Sequence, residues 1–275
     1  MNKDAITKQL SSQISKRLLE DKNYLNSFWL SSAGAGIDTR YFIVDNLLND
    51  DFAHDIYSCF EPTGDFWNSV DNFRERKSSF QKIDQLSPIL SCITDAFHEK
   101  SVISSIAEIT CISGLESDPS LYAGGISIMK QGDYLNPHID NSHDALRQRY
   151  RRLNLLYYVT PEWLEDFGGN LELWDTSVSQ CKRIPAFFNR LVVMETNALS
   201  WHSVDPICHN GYRTCISNYY FTKQSPEDRD YYHVTSFLGR PNQHLQRGIC
   251  RIDNFLRQSF VLLTGTARGA SRGRF

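Results

Sequence analysis

Paired cysteine motifs, long apolar runs and a strong charge of either sign are all missing from this chain of 275 residues. The seven cysteines are scattered without C-x-x-C spacing, and an odd, dispersed count argues against a disulfide scaffold. No apolar run approaches the roughly eighteen residues of a spanning helix, and the first residues lack a signal-peptide core. A net charge of −3 offers no bulk attraction to nucleic acid or to an acidic membrane. We therefore expect reduced thiols, a cytoplasmic location, and neither a membrane nor a nucleic acid as partner.

The composition is that of a folded globular protein. Hydrophobic residues make up 41% of the chain and charged residues 22%, both ordinary fractions for such proteins. The length suits one large domain that can bury a substantial core. No internal repeat and no long low-complexity segment divides it.

The pair His138 and Asp140, followed much later by His202 and Arg213, is the most informative pattern. Residues i and i+2 of a strand point to the same face, so His138 and Asp140 can reach one metal ion together. Two histidines and one carboxylate are the ligands of non-haem Fe(II) oxygenases, which leave metal positions open for an oxidant and O2. Taken alone, H-x-D is a weak motif that also occurs in surface turns, so its context decides.

The context is a series of short strands at regular spacing. A turn at 132–137 leads into the H-x-D pair, and a Gly-Gly turn at 168–169 opens an alternating segment. Further strand-like runs occupy 153–159, 190–196 and 212–221. Such a series predicts an all-β barrel or sandwich.

Six segments carry a resemblance to a known family through their order and spacing. They are YLNPHID (134–140), RRLNLLYY (151–158), GGNLELWD (168–175), FNRLVVM (188–194), SWH (200–202) and GYRTCISNYY (211–220). Together they resemble the Fe(II)/2-oxoglutarate-dependent dioxygenases, in particular the prolyl-4-hydroxylase-like branch. The resemblance implies a mainly β fold with supporting helices around a double-stranded β-helix, the jelly roll also found in cupins.

The same resemblance implies the roles of individual residues. His138, Asp140 and His202 would bind Fe(II), and Arg213 and Tyr158 would hold the far carboxylate of 2-oxoglutarate. Arginine suits that role because its guanidinium stays charged and can grip a carboxylate with two parallel hydrogen bonds. The co-substrates would be 2-oxoglutarate and O2, with ascorbate as an accessory reductant.

Strand parity extends the list of cavity residues. Asn154, Leu156 and Tyr158 share one face of their strand, whereas Tyr157 points into packing on the other face. If Arg213 points inward, then Cys215, Ser217 and Tyr219 do as well. Ser217 and Tyr219 are therefore candidates for binding co-substrate or substrate, although side chains that only fill the barrel would show the same pattern.

The predicted organisation has three parts. Residues 1–117 hold helices and a first strand that brace the barrel, 118–222 form the catalytic core, and 223–275 form an extension with a helix and a mobile basic tail. Helical spacing occurs in 1–30, after Asn49, in 85–98, in 101–112 and in 242–263. The polar, aromatic segments 61–84 and 223–241 are predicted to lie outside the barrel as candidate lids.

The predicted function is hydroxylation of an unactivated C–H bond, coupled to oxidative decarboxylation of 2-oxoglutarate. Retention of Asp140 favours hydroxylation over halogenation, because halogenases of this fold lack that carboxylate. The substrate would be a small molecule or a peptide, with a prolyl residue or a free amino acid favoured by the resemblance; a natural-product scaffold is the alternative. A non-catalytic sensor of 2-oxoglutarate or metal, and a cupin-like site for another divalent metal, remain rival interpretations. The sequence leaves the oligomeric state open.

Three further histidines are interpreted as structural rather than metal-binding. His143 lies in a charged stretch and is predicted to be a solvated loop residue. His209 and His233 lie in turns or irregular segments. None has the spacing of a second ligand set.

Overall fold

The computed structural model describes residues 2–34, 36–122, 124–227 and 229–264. Six helices occur in these residues: Lys3–Glu20 (α1), Lys22–Ser32 (α2), Asp50–Ser58 (α3), Pro88–His98 (α4), Lys100–Thr110 (α5) and His244–Thr264 (α6). Two short 3-10 turns, Ile83–Gln85 and Glu165–Phe167, accompany them.

Strands dominate the rest of the described chain. The first seven are Tyr41–Asp45 (β1), Asn68–Asp71 (β2), Glu75–Phe80 (β3), Glu116–Ser117 (β4), Gly125–Lys130 (β5), Tyr134–Ile139 (β6) and Tyr150–Tyr158 (β7). The other six are Leu171–Trp174 (β8), Cys181–Ile184 (β9), Arg190–Glu195 (β10), His202–Val204 (β11), Tyr212–Thr222 (β12) and Ser236–Phe237 (β13). This mainly β fold with supporting helices is the class that the sequence predicts.

The strands form one curled antiparallel sheet. Its order is β1-β10-β7-β12-β5-β3-β6-β11-β8-β9, with β2 on β3, β4 on β12 and β13 on β6. Apart from β8 with β9 and β2 with β3, neighbouring strands are not consecutive in sequence. Because of this winding, residues far apart in sequence, such as His138 and His202, become direct cross-strand partners.

The N-terminal helices pack against one layer of the sheet. Leu10, Ile14 and Leu18 are fully buried, as their helical spacing predicts. The predicted single helix is interrupted at Asp21, which ends α1 and precedes α2. The side chain of Asn49 accepts a hydrogen bond from the backbone N–H of Phe52 and caps α3 at its predicted start.

Two hydrophobic cores follow from strand parity. The larger core lies between the helices and the sheet and contains Tyr157, whereas Tyr158 belongs to the second core inside the curled sheet. The opposite orientations predicted for these neighbouring tyrosines are therefore observed. Adjacent residues of β7 serve structure on one face and the cavity on the other.

The prediction that residues 61–84 lie outside the barrel was wrong. Both β2 and β3 join the sheet, and β3 lies between β5 and β6. The residues of β2 and β3 are mostly polar and are half-buried or exposed. Their sequences therefore lack the alternation of apolar and polar residues that indicates a strand. The sequence signal that identifies the other strands is absent here.

The second segment expected outside the barrel, 223–241, also joins the sheet in part, because β13 pairs with β6. After it, α6 forms the helix predicted for 242–263. The predicted mobile tail, from residue 265 onward, lies outside the described residues. None of the helices among the described residues is long and apolar enough to cross a membrane. The division into three parts stays a prediction.

Candidate metal centre

His138, Asp140 and His202 converge at one end of the curled sheet. His138 lies in β6, Asp140 follows that strand, and His202 begins β11 directly opposite His138. One ligand atom from each residue lies within 4.8 Å of the others. The Nε2 atoms of His138 and His202 are each 3.7 Å from an oxygen of Asp140. The structure thus brings together all three predicted ligands.

Both imidazoles are oriented by backbone carbonyls. Nδ1 of His138 lies 3.0 Å from the carbonyl oxygen of Asn136, and Nδ1 of His202 lies 2.9 Å from that of Ser200. A carbonyl only accepts, so each Nδ1 carries the proton and each Nε2 lone pair faces the centre. This is the usual arrangement of histidines that bind a metal.

Asp140 is held by two neighbours on β7. Nδ2 of Asn154 donates to its Oδ2 at 2.7 Å, and the guanidinium of Arg151 lies 3.2 Å away. Burial acts to raise the pKa of Asp140, but Arg151 and the two imidazoles outweigh it and hold that pKa far below its usual value. Burial and the neighbouring His202 lower the pKa of His138 to about 3. Near neutral pH this pair is one carboxylate and one neutral imidazole, the states that bind a metal.

A second polar group lies deeper in the same cavity. Arg213 on β12 is 3% exposed, and its guanidinium lies 4.9 Å from the ring of Tyr158 on β7. Nε of Arg213 and the hydroxyl of Tyr158 have no hydrogen-bond partner, although both are buried. Burial raises the pKa of Tyr158, so its hydroxyl stays protonated and can donate. Nη1 of Arg213 donates only to the weak acceptor Sδ of Met129, at 3.4 Å. A buried cation and phenol with unsatisfied donors fit an incoming carboxylate, which would accept from both.

Gly169 makes room for that arginine. Its φ of +73° lies in the left-handed region, and a Cβ built there would be 2.6 Å from Cδ of Arg213. A side chain at this position would therefore displace Arg213. The Gly-Gly turn seen in the sequence thus serves the cavity as well as the chain reversal.

The cavity that joins these groups has a volume of about 440 Å³. The predicted inward residues Asn154, Leu156, Tyr158, Arg213, Cys215, Ser217 and Tyr219 all line it. Five residues that the sequence analysis did not name individually line it as well: Lys77, Ser79, Gln81, Thr235 and Arg257. Four of them lie in the candidate lid segments 61–84 and 223–241, whereas Arg257 lies on α6, where no motif pointed to a site.

Arg151 and His143 correct the interpretation of the charged stretch 143–152. Arg151 is 1% exposed and lies 4.1 Å from the ring of Tyr219, and His143 is 7% exposed beside the ring of Tyr150. A solvated loop was the wrong prediction for His143. The partners that bury these residues come from distant segments, which the local charge pattern does not reveal.

The remaining histidines stay outside the centre. His209 is exposed and stacks on Phe167, and His233 lies near Tyr231. Among the described residues, His138, Asp140 and His202 are the only group of three or more metal-ligating side chains that could share an ion. The structural interpretation of His209 and His233 is consistent with this geometry.

Residues 124–221 match the family model of the 2OG-Fe(II) oxygenase superfamily. The match spans β5 to β12 and includes the three converging residues and Arg213. No curated protein matches the chain. The family assignment therefore rests on the part of the chain that forms the cavity.

Three solved structures show the same fold at low identity. A prolyl-4-hydroxylase from Pseudomonas putida has a TM-score of 0.53 and 13% identity, over 72% of this chain and 98% of that protein. A prolyl 4-hydroxylase from Phytophthora capsici has a TM-score of 0.53 and 13% identity, over 77% of this chain and 65% of that protein. An oxidoreductase of the 2OG-Fe(II) oxygenase family from Burkholderia pseudomallei has a TM-score of 0.51 and 8% identity, over 76% of this chain and 94% of that protein.

These structural similarities confirm the predicted double-stranded β-helix. The family match explains why two imidazoles, a carboxylate and a buried arginine meet in one cavity. Fe(II) and 2-oxoglutarate are accordingly the cofactor and co-substrate. The chain is an Fe(II)- and 2-oxoglutarate-dependent dioxygenase whose residues 124–221 match the 2OG-Fe(II) oxygenase superfamily.

Proposed function

We propose that this dioxygenase hydroxylates a polar substrate of the amino-acid type, either a prolyl residue or a free amino acid. His138, Asp140 and His202 would hold the iron, and Arg213 and Tyr158 would bind the far carboxylate of 2-oxoglutarate. One observation carries the assignment: the cavity contains both a complete 2-His-1-carboxylate group and a buried arginine beside a buried tyrosine, with Nε of Arg213 and the hydroxyl of Tyr158 left unsatisfied.

Bound iron would supply the redox chemistry that couples decarboxylation of 2-oxoglutarate to oxygen insertion into a C–H bond. The contribution of the chain is to bind and to orient. Asn154 and Arg151 fix Asp140, and the two backbone carbonyls fix the imidazoles. Ser217 and Tyr219 line the same cavity, where we assign them to contacts with co-substrate or substrate.

The outer wall of the cavity supports a polar substrate. Lys77 and Glu75 form an ion pair of 3.1 Å, and Arg74 pairs with Asp253 at 2.7 Å. Arg257 lies 3.8 Å from the same aspartate. An apolar ligand would remove water from these charged pairs and offer no hydrogen bonds in return, whereas carboxylate, ammonium or peptide groups can bond to them.

A polar natural-product scaffold is the second candidate. Ser79, Gln81 and Thr235 add hydroxyl and amide groups to the wall and suit a ligand with many hydrogen-bonding groups.

All seven cysteines are unpaired, which supports our proposal of a cytoplasmic, reducing location. In such a compartment ascorbate or a thiol could keep the iron reduced.

The first experiment tests the site. Anaerobic addition of Fe(II) and 2-oxoglutarate should produce the visible charge-transfer band of the chelate. His202→Ala should abolish the band, whereas the control His209→Ala, at an exposed histidine, should retain it. Arg213→Met should keep metal binding and weaken 2-oxoglutarate binding. An unchanged band in His202→Ala would contradict the assigned ligand set.

The second experiment tests the substrate. Free proline, other free amino acids, prolyl peptides and polar scaffolds are compared for their stimulation of succinate formation. We expect an amino-acid type compound to stimulate it and Asp140→Ala to abolish the effect. Stimulation by polar scaffolds alone would replace the first candidate with the second.

A further inference from the structure

The outward face of α6 is apolar. Leu245, Ile249, Ile252, Phe255 and Leu256 all point away from the body of the protein, with exposed fractions from 54% to 83%. A surface helix of a globular protein normally presents its apolar side to the core and its polar side to water. In α6 the arrangement is reversed: the apolar side faces water and the polar side faces the protein.

The inward face of α6 is correspondingly polar. Asn254 exchanges two hydrogen bonds with the backbone of Phe237, and Gln258 donates to the carbonyl oxygen of Tyr232. Arg247 donates to the carbonyl oxygens of Val178 and Gly239. Specific hydrogen bonds therefore fix which side of the helix faces the protein, and rotation about its axis would break them.

Cys250 is the one fully buried apolar side chain among residues 244–260 of α6. It packs in the small core that includes Trp174 and Phe237. The five outward residues expose about 670 Å² of surface, if a fully exposed large apolar residue presents about 200 Å². That area slightly exceeds the roughly 300–600 Å² expected for the largest patch on a monomer. Such a surface indicates a binding partner.

Spacing and charge indicate the kind of partner. Leu245, Ile249, Ile252 and Leu256 follow each other at intervals of four, three and four residues, the repeat with which one helix packs along another. Gly248 lies beside this row, and a Cβ added there would meet nothing within 4 Å, so a second backbone can approach closely. Because this row carries no charge, it can pack against the same row of a second copy without placing like charges opposite each other.

A membrane surface fits the described part of the helix less well. Helices that lie on anionic lipid carry lysine or arginine beside the apolar face. Of the arginines in residues 244–260, Arg247 donates to backbone carbonyls and Arg257 lies near Asp253. Arg251 alone is exposed.

We propose that α6 pairs with α6 of a second copy of this chain through the row from Leu245 to Leu256. If both copies cover this surface completely, the symmetric interface would bury about 1,300 Å² in total, near the lower end of the range for specific interfaces. The pairing would place each helix between its own cavity, which Arg257 lines, and the partner copy. This inference does not depend on the substrate or on the assigned ligands.

Sedimentation equilibrium of the full chain tests the pairing. The wild type should associate to twice its mass of 31.7 kDa at concentrations of about 1–100 μM, the weaker end of what such an interface supports. Ile252→Glu should remain monomeric with an unchanged circular dichroism spectrum, because its side chain is already 65% exposed. Leu30→Glu is the matched control, since it alters an exposed leucine on α2 and should leave the dimer intact.

Three results would overturn the proposal. They are a monomeric wild type throughout this range, a dimer that survives Ile252→Glu, and a dimer lost equally in Leu30→Glu. Co-sedimentation of a monomeric wild type with phosphatidylserine vesicles would instead assign the apolar row to lipid.

Discussion

Asp140 shows how strongly this centre depends on single contacts around its ligands. Its carboxylate needs one orientation to meet both imidazoles, and Asn154 and Arg151 hold it from β7. Arg151 supplies charge and stacks on Tyr219, whereas Asn154 supplies a short directional hydrogen bond. The two side chains therefore act differently on the same ligand.

Replacing Asn154 with leucine should weaken metal binding roughly 10–100-fold, the usual effect of removing a hydrogen bond to a ligand. Titration with Mn(II), followed by electron paramagnetic resonance, measures the dissociation constant. Ser217→Ala is the control, because that residue lines the same cavity but its hydroxyl lies beside Cys215. Equal affinities in the wild type and Asn154→Leu would show that Arg151 alone suffices.

Gly169 gives a second prediction, which concerns co-substrate rather than metal. Gly169→Ala should raise the KM for 2-oxoglutarate about tenfold or more, equivalent to about 1.4 kcal/mol, because the new methyl group displaces Arg213. Steady-state succinate formation measures this. Gly114→Ala is a matched control, since Gly114 also has a positive φ, of +68°, but its Cβ would meet nothing within 4 Å. A similar KM increase in both variants would mean that backbone strain, not Arg213, is the cause.

At the residue scale, the predictable positions are those that obey strand geometry. The two-residue spacing of His138 and Asp140 and the parity of β7 and β12 are enough to indicate which side chains face inward. Arg151 could not be identified in this way, because a charged stretch ordinarily faces solvent. Its burial depends on Asp140 and Tyr219, which reach it only after the sheet has curled.

At the scale of elements, helices were easier to predict than polar strands. The rows of apolar residues in α1 and the cap at Asn49 are local signals, and both are present in the structure. β3 has no such signal: its position is determined by pairing with β5 and β6, which are more than forty residues away in sequence. The outward orientation of the apolar row of α6 could not be predicted either. Periodicity shows that a helix has an apolar and a polar face, but it does not show which face is buried.

The contact between α6 and Phe237 can be tested directly. Phe237 stacks on His138, and Asn254 holds its backbone N–H and C=O. Asn254→Ala should raise hydrogen exchange at the Phe237 amide about tenfold, because the loss of such hydrogen bonds costs on the order of 1 kcal/mol. The exposed Asn242→Ala is the control. Unchanged exchange in Asn254→Ala would mean that pairing of β13 with β6 holds the segment without α6.

At the scale of the whole molecule, the site joins interior strands from both halves of the curled sheet: the histidines lie on β6 and β11, and Tyr158 and Arg213 lie on β7 and β12. Ligand binding should therefore stabilise the global fold and not only a loop. Mn(II) with 2-oxoglutarate at about 100 times the dissociation constant should add about 2.7 kcal/mol. That corresponds to a rise in Tm of about 5–10 °C for a domain of this size.

Differential scanning calorimetry in the absence of O2 measures this rise. His138→Ala should lose the ligand-dependent increase, and His209→Ala, outside the centre, should keep it. An increase of equal size in His138→Ala would place the stabilising metal elsewhere on the protein.

α6 contacts the cavity with one face and solvent with the other. Arg257 and the hydrogen bonds of Asn254 to Phe237 connect the inner face to the catalytic cavity, while the row from Leu245 to Leu256 is the surface proposed to pair with a second copy. A compound that covers this row would compete with the second copy and not with iron or 2-oxoglutarate. Inhibitors of that kind could discriminate between this enzyme and other oxygenases with the same metal ligands, since selectivity would come from a helix outside the 124–221 region shared with the superfamily.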